Sequence, residues 1–89
     1  MRINERDLNI VINRLNEITG NPTVPHSKDD NGIFRSNIGN YHLDCAYGGY
    51  ALHQIASKGG AVNDIFGWYY PKRELYNLVH AYIAGIETK

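Results

Sequence analysis

The chain has 89 residues, too few for two independent cores, so one domain over 1–89 is expected. Nine Lys and Arg offset nine Asp and Glu, which excludes the strong positive field that gathers duplex nucleic acid and lowers the repulsion that holds small proteins apart. A single cysteine, Cys45, excludes an internal disulfide framework and a Cys-rich zinc site.

Asn4 is placed to cap a first helix, with Asp7 in its first turn, where a carboxylate meets the positive end of the helix dipole. Leu8, Val11, Ile12, Leu15 and Ile18 recur at three- and four-residue steps along it, and Gly20 and Pro22 stop it. Between 24 and 38 the helical period is lost. Asp30-Asn31-Gly32 tolerates the positive φ of a tight turn, which predicts a hairpin whose second arm is 33–38. From 41 to 47, Tyr41, Leu43, Cys45 and Tyr47 alternate with His42, Asp44 and Ala46, the pattern of a half-buried strand. After Gly48-Gly49 comes 50–58, where Leu52, Ile55 and Ala56 fit a short helix better than a strand. The segment 62–70 is rich in β-branched and aromatic residues and reads as a last strand, bent or bulged at Gly67. Pro71 then opens the final helix, with Leu75, Leu78, Val79, Tyr82, Ile83 and Ile86 on one face. The expected architecture is α+β: a small antiparallel sheet packed against two longer helices, plus one short helix.

A chain of this size gains much from self-association, so a homo-oligomer is expected. The run Arg2-Ile3-Asn4-Glu5-Arg6-Asp7 carries both signs and leads into no apolar stretch, and no segment is apolar enough to span a bilayer. With one cysteine, these features predict a cytoplasmic protein with no membrane partner.

Seven tyrosines, one tryptophan and two phenylalanines are present, all but Phe34 from Tyr41 onward. Rings beside glycines suit stacking on a planar group, because glycine lets a ligand approach the backbone. Tyr41 and Tyr82 fall on buried faces and read as core. Tyr47, Tyr50, Tyr69 and Tyr70 are different, since neighbours on a strand cannot both face inward. Lys72 and Arg73 follow Pro71 at a helix start, where unpaired backbone N–H groups favour phosphate, although surface cations paired with Glu74 would look the same. Gly48-Gly49 offers a second anion nest without the Lys and Ser/Thr of a phosphate loop.

Trp68, Tyr76 and His80 are candidate anchors for a protein partner, with Tyr76, Asn77, His80 and Ala84 off the apolar stripe of the last helix. His42 and Asp44 share a strand face and form the one acid–base pair the spacing allows, but a solvated strand face is the better account of them. His53 and His80 lie in no metal-binding spacing, and Cys45 reads as a small buried hydrophobe. No enzyme, metal site or cofactor is predicted.

Ile38-Gly39-Asn40-Tyr41-His42-Leu43-Asp44, Ala46-Tyr47-Gly48-Gly49-Tyr50, Gly59-Gly60 and Lys72-Arg73-Glu74-Leu75-Tyr76 together resemble a group of small bacteriophage proteins over most of the chain. The resemblance brings no catalytic residues with it. It implies counter-defence in the host cytoplasm, by trapping a nucleotide messenger or occupying a defence protein. The leading expectation is therefore a non-catalytic binder that sequesters a small nucleotide-type ligand through Tyr47, Gly48, Gly49, Tyr50, Tyr69, Tyr70, Lys72 and Arg73. The alternative is an inhibitor of a host defence complex acting through Trp68, Tyr76 and His80.

Overall fold

A computed structural model describes residues 2–88. Helix α1 runs Glu5–Thr19, followed by strands β1 (His26–Lys28), β2 (Phe34–Ser36), β3 (Tyr41–Ala46), β4 (Gly49–Ile55) and β5 (Val62–Asp64), and helix α2 (Lys72–Glu87).

The Asn4 side chain accepts from the Asp7 N–H at 2.9 Å while the Asp7 carboxylate accepts from the Asn4 N–H at 3.0 Å, a reciprocal capping box. The helix ends at Gly20, whose φ of 71° lies in the left-handed region that suits glycine. Pro71, with φ −56°, leads into α2 from an extended conformation.

Two antiparallel sheets form instead of one. β1 pairs with β2 alone; its turn is tied by Asp29, whose Oδ1 accepts from the Asn31 and Ile33 N–H groups. The second sheet has the order β3-β4-β5, and a single bridge between Tyr50 and Tyr70 continues the β5 side of β4 past the turn at Gly67. Beyond Asp64 the expected last strand gives way to that turn, closed by the Gly67 N–H donating to Asp64 Oδ1 at 3.0 Å.

The short helix expected over 50–58 is absent: Gly49–Ile55 is the central strand. Ala51, Leu52 and Ile55 are all buried because β4 is covered on both faces, and a strand buried on both faces loses the simple alternation that reveals strands. Gly48-Gly49 does not lead into a helix. Tyr47 and Gly48, at φ 53° and 71°, form the two-residue turn that joins β3 to β4, with Ala46 opposite Gly49.

The register sorts β3 and β4 side chains onto two faces. Tyr41, Leu43, Tyr50 and Leu52 join a core with Leu8, Val11, Ile12 and Leu15 of α1 and Leu75, Val79 and Ile83 of α2. Fully burying each such aliphatic side chain stabilises the fold by about 1.5–3 kcal/mol. Asn16 interrupts the apolar row of α1 yet is fully buried, because its side chain donates to the Tyr41 carbonyl at 2.9 Å and accepts from the Tyr41 N–H at 2.7 Å. It thereby satisfies backbone groups of the outer strand β3 that would otherwise be orphaned.

Candidate functional site

The face of the three-stranded sheet away from the helices carries His42 opposite His53, Asp44 opposite Ala51, and Asp64 opposite His53. The segment after β5 folds over this face. Gly49 allows that approach: a Cβ there would lie 3.1 Å from the Tyr69 Cβ and 3.2 Å from backbone atoms of Tyr69 and Tyr70.

A continuous row of rings results. Trp68 and Tyr47 lie parallel, with centroids 6.1 Å apart and planes 5° apart. Tyr69 meets Tyr47 edge-on at 5.4 Å and Trp68 at 6.3 Å. His53 meets Tyr69 at 6.1 Å, and His42 meets His53 at 5.9 Å. At the outer end the row is open to solvent, with Tyr47 85% and Trp68 62% exposed.

Two carboxylates border the row. The Tyr69 hydroxyl donates to Asp44 Oδ2 at 2.5 Å, and Asp64 Oδ2 lies 3.9 Å from His53 Nε2. The bond to Asp44, then desolvation and the negative charges of Asp44 and Asp64, push the pKa of the Tyr69 hydroxyl up to about 12, so it remains a neutral donor. At the inner end, burial and then the neighbouring His53 lower the His42 pKa, against a smaller upward pull from Asp44. Its Nδ1 is buried without a hydrogen-bond partner.

The eight residues expected to share one ligand are divided by the sheet. Tyr47 and Tyr69 belong to the ring row. Tyr50 and Tyr70 are half-buried against the helical core, and the Tyr70 hydroxyl is engaged by the Phe66 carbonyl at 3.0 Å. Gly48 serves the hairpin turn and Gly49 is buried beneath Tyr69, so neither forms a nest at a helix start. Lys72 joins the second group, its Nζ 5.7 Å from the Tyr50 ring centroid, while Arg73 is exposed on the first turn of α2. Among the described residues neither cation forms a salt bridge with Glu74.

Tyr76 and His80 pack together at 4.5 Å and line, with Asp7, Ile10, Val11 and Arg14, a groove of about 150 Å³ between the two helices. Trp68 does not join them; it stands with Tyr47. Cys45 is exposed, contrary to expectation, with its Sγ 3.5 Å from Glu5 Oε1. Partial burial and that carboxylate raise the thiol pKa, which leaves it a poor nucleophile. Among the described residues no cluster of three or more His, Cys, Asp or Glu could hold a metal ion, and no helix is long and apolar enough to cross a membrane.

No family model, curated protein or solved structure matches this chain. His53 and Asp64 are the members of the cluster that sequence reasoning missed. The alternation of His53 between the apolar Leu52 and Ile55 was obscured by helical spacing, and Asp64 meets His53 only through the β4–β5 register.

Proposed function

We propose that this chain is a phage counter-defence protein that acts by binding, without turnover, and that it holds a host protein through the Tyr47–Trp68–Tyr69 surface. The observation that carries this reading is the conformation of Tyr47. It is the one non-glycine residue among those described with positive φ, at 53°, and its ring is 85% exposed at a hairpin tip. A bulky residue in the left-handed region costs about 1–2 kcal/mol relative to its ordinary conformation. Asn or Gly would satisfy the same turn more easily. A ring retained there, stacked on a second exposed ring, has the composition of an interface anchor, since Trp and Tyr dominate binding energy where partners meet. The resemblance to small phage proteins supplies the setting in the host cytoplasm.

The test is capture from host lysate with tagged protein, comparing the unaltered chain with Tyr47→Asn and Trp68→Ala. A stoichiometric host protein retained by the first and lost by both variants is the expected result. Retention by both variants at an unchanged level, with folding verified, would refute the surface.

A separate observation favours the sequestering function. Lys72 lies over Tyr50 at 5.7 Å, at the start of α2, so an aromatic face, a cation and helix N-terminal donors are close together. A nucleotide-type ligand held there would involve Tyr50, Tyr70, Lys72 and Arg73, with self-association of the chain extending the shallow site. Calorimetry with cyclic and linear nucleotides tests it. Binding that is lost in Lys72→Ala supports sequestration, and a flat panel removes it.

A further inference from the structure

The ring surface has a charge character of its own. The leading charges acting on the Tyr69 hydroxyl are the carboxylates of Asp44 and Asp64, and both are negative. Among the described residues the Lys and Arg ion pairs lie elsewhere, Arg14 with Glu87 and Arg35 with Asp29, so neither Asp44 nor Asp64 has a Lys or Arg partner. Asp64 has its Oδ1 engaged by the Gly67 N–H and its Oδ2 directed towards His53 at 3.9 Å, a contact too long for a hydrogen bond. Tyr and Trp present negative ring faces, so the rings and the carboxylates favour the same kind of ligand. A phosphate would be repelled here.

We propose that the Tyr47–Trp68–Tyr69 surface takes a basic segment of its protein partner, seating a Lys or Arg side chain against the rings and within reach of the Asp44 and Asp64 carboxylates. This assignment rests on the reading of that surface as the partner-binding face. Cation–π attraction acts within about 6 Å of a ring centroid, and a carboxylate beside the ring adds a charge-assisted hydrogen bond to a guanidinium. Tyr47 projects at the tip of the β3–β4 hairpin with Trp68 stacked against it, away from the grooves lined by α1 and α2 residues. A hairpin tip suits a chain segment laid across it better than an enclosed small cation.

Trp68 is the only tryptophan, so its fluorescence reports the surface directly. The probes are tetra-arginine amide, tetra-glutamate and single arginine amide, titrated at low salt. Tetra-arginine amide is expected to give a saturable change, and single arginine amide only a much weaker one. Tetra-glutamate should give none. The double variant Asp44→Asn/Asp64→Asn should weaken tetra-arginine binding by about tenfold or more. Because Asp44 also holds Tyr69, Asp64→Asn alone serves as the second variant; its amide oxygen can still accept from Gly67, and a partial loss is expected. Equal response to tetra-glutamate, unchanged affinity in both Asp variants, or binding of single arginine amide as tight as the tetrapeptide would overturn the assignment. Host-protein capture separates the two levels of inference. If Trp68→Ala loses the partner while the Asp variants keep it, the basic-segment assignment fails and the surface stands. If Tyr47→Asn and Trp68→Ala both keep the partner, the surface itself fails.

Discussion

Replacing Asn16 with Ala should be among the most damaging polar substitutions in this protein. Its side chain is fully buried and makes two hydrogen bonds to the backbone of Tyr41, at 2.9 and 2.7 Å. Truncation removes both partners while leaving the Tyr41 N–H and carbonyl in place. A buried donor or acceptor left unpaired costs about 1–3 kcal/mol, so the pair predicts a loss of about 4 kcal/mol. A domain of this length has about 4–13 kcal/mol in total, so the variant should sit close to unfolding at ambient temperature. The corresponding fall in Tm is about 16–32 °C. Urea unfolding followed by circular dichroism, with the slope m compared between proteins, measures it. Asn16→Asp adds a check of sign. A carboxylate still accepts from the Tyr41 N–H but opposes the carbonyl, whereas its protonated form can donate. The deficit of Asn16→Asp should therefore shrink as pH falls through the carboxyl pKa of that residue. The exposed Asn13→Ala is the control. A loss below about 1 kcal/mol in Asn16→Ala, or an equal loss in Asn13→Ala, would refute the view that α1 is pinned to β3 through this side chain.

Other outcomes follow from the same geometry. Tyr47→Asn should leave stability unchanged or raise it by about 0.5–1 kcal/mol, since Asn enters the left-handed region more easily and the lost ring is largely exposed; thermal unfolding decides, and a clear fall in Tm would contradict the reading of strain. Gly49→Ala should cost about 1–3 kcal/mol, because the new Cβ meets the backbone of Tyr69 and Tyr70 rather than a side-chain tip that could turn aside, and near-neutral urea unfolding would contradict that packing. His42 is held neutral by burial, below the unfolded value of about 6.5. Its contribution is present above about pH 6.5 and is lost as pH falls from there through the lower native value, where the unfolded chain takes a proton that the folded one resists. The difference in urea midpoint between the unaltered protein and His42→Gln should therefore change between about pH 7.5 and pH 5.5, with the unaltered protein losing more; a constant difference would refute the assignment.

What the sequence by itself determined was mostly local. The cap at Asn4, the stop at Gly20, the Asp-Asn-Gly hairpin and the apolar stripe of α2 each depend on a few neighbouring residues whose intrinsic preferences agree, and each is present. Tyr41 on a buried face was legible from alternation, whereas the same alternation put Tyr47 on that face, and only the turn that follows Ala46 took its ring out to solvent. The tertiary structure decided the rest. Residues 50–55 carry helical spacing, but pairing with β3 across the Tyr47–Gly48 turn and coverage on both faces made them a central strand. That one choice separated Tyr47 and Tyr69 from Tyr50 and Tyr70, and brought Trp68, His53 and Asp64 to the ring row instead. A strand assigns side chains to faces by parity, and register assigns their neighbours across strands, so a binding surface built on a sheet is set by long-range pairing that no local pattern contains.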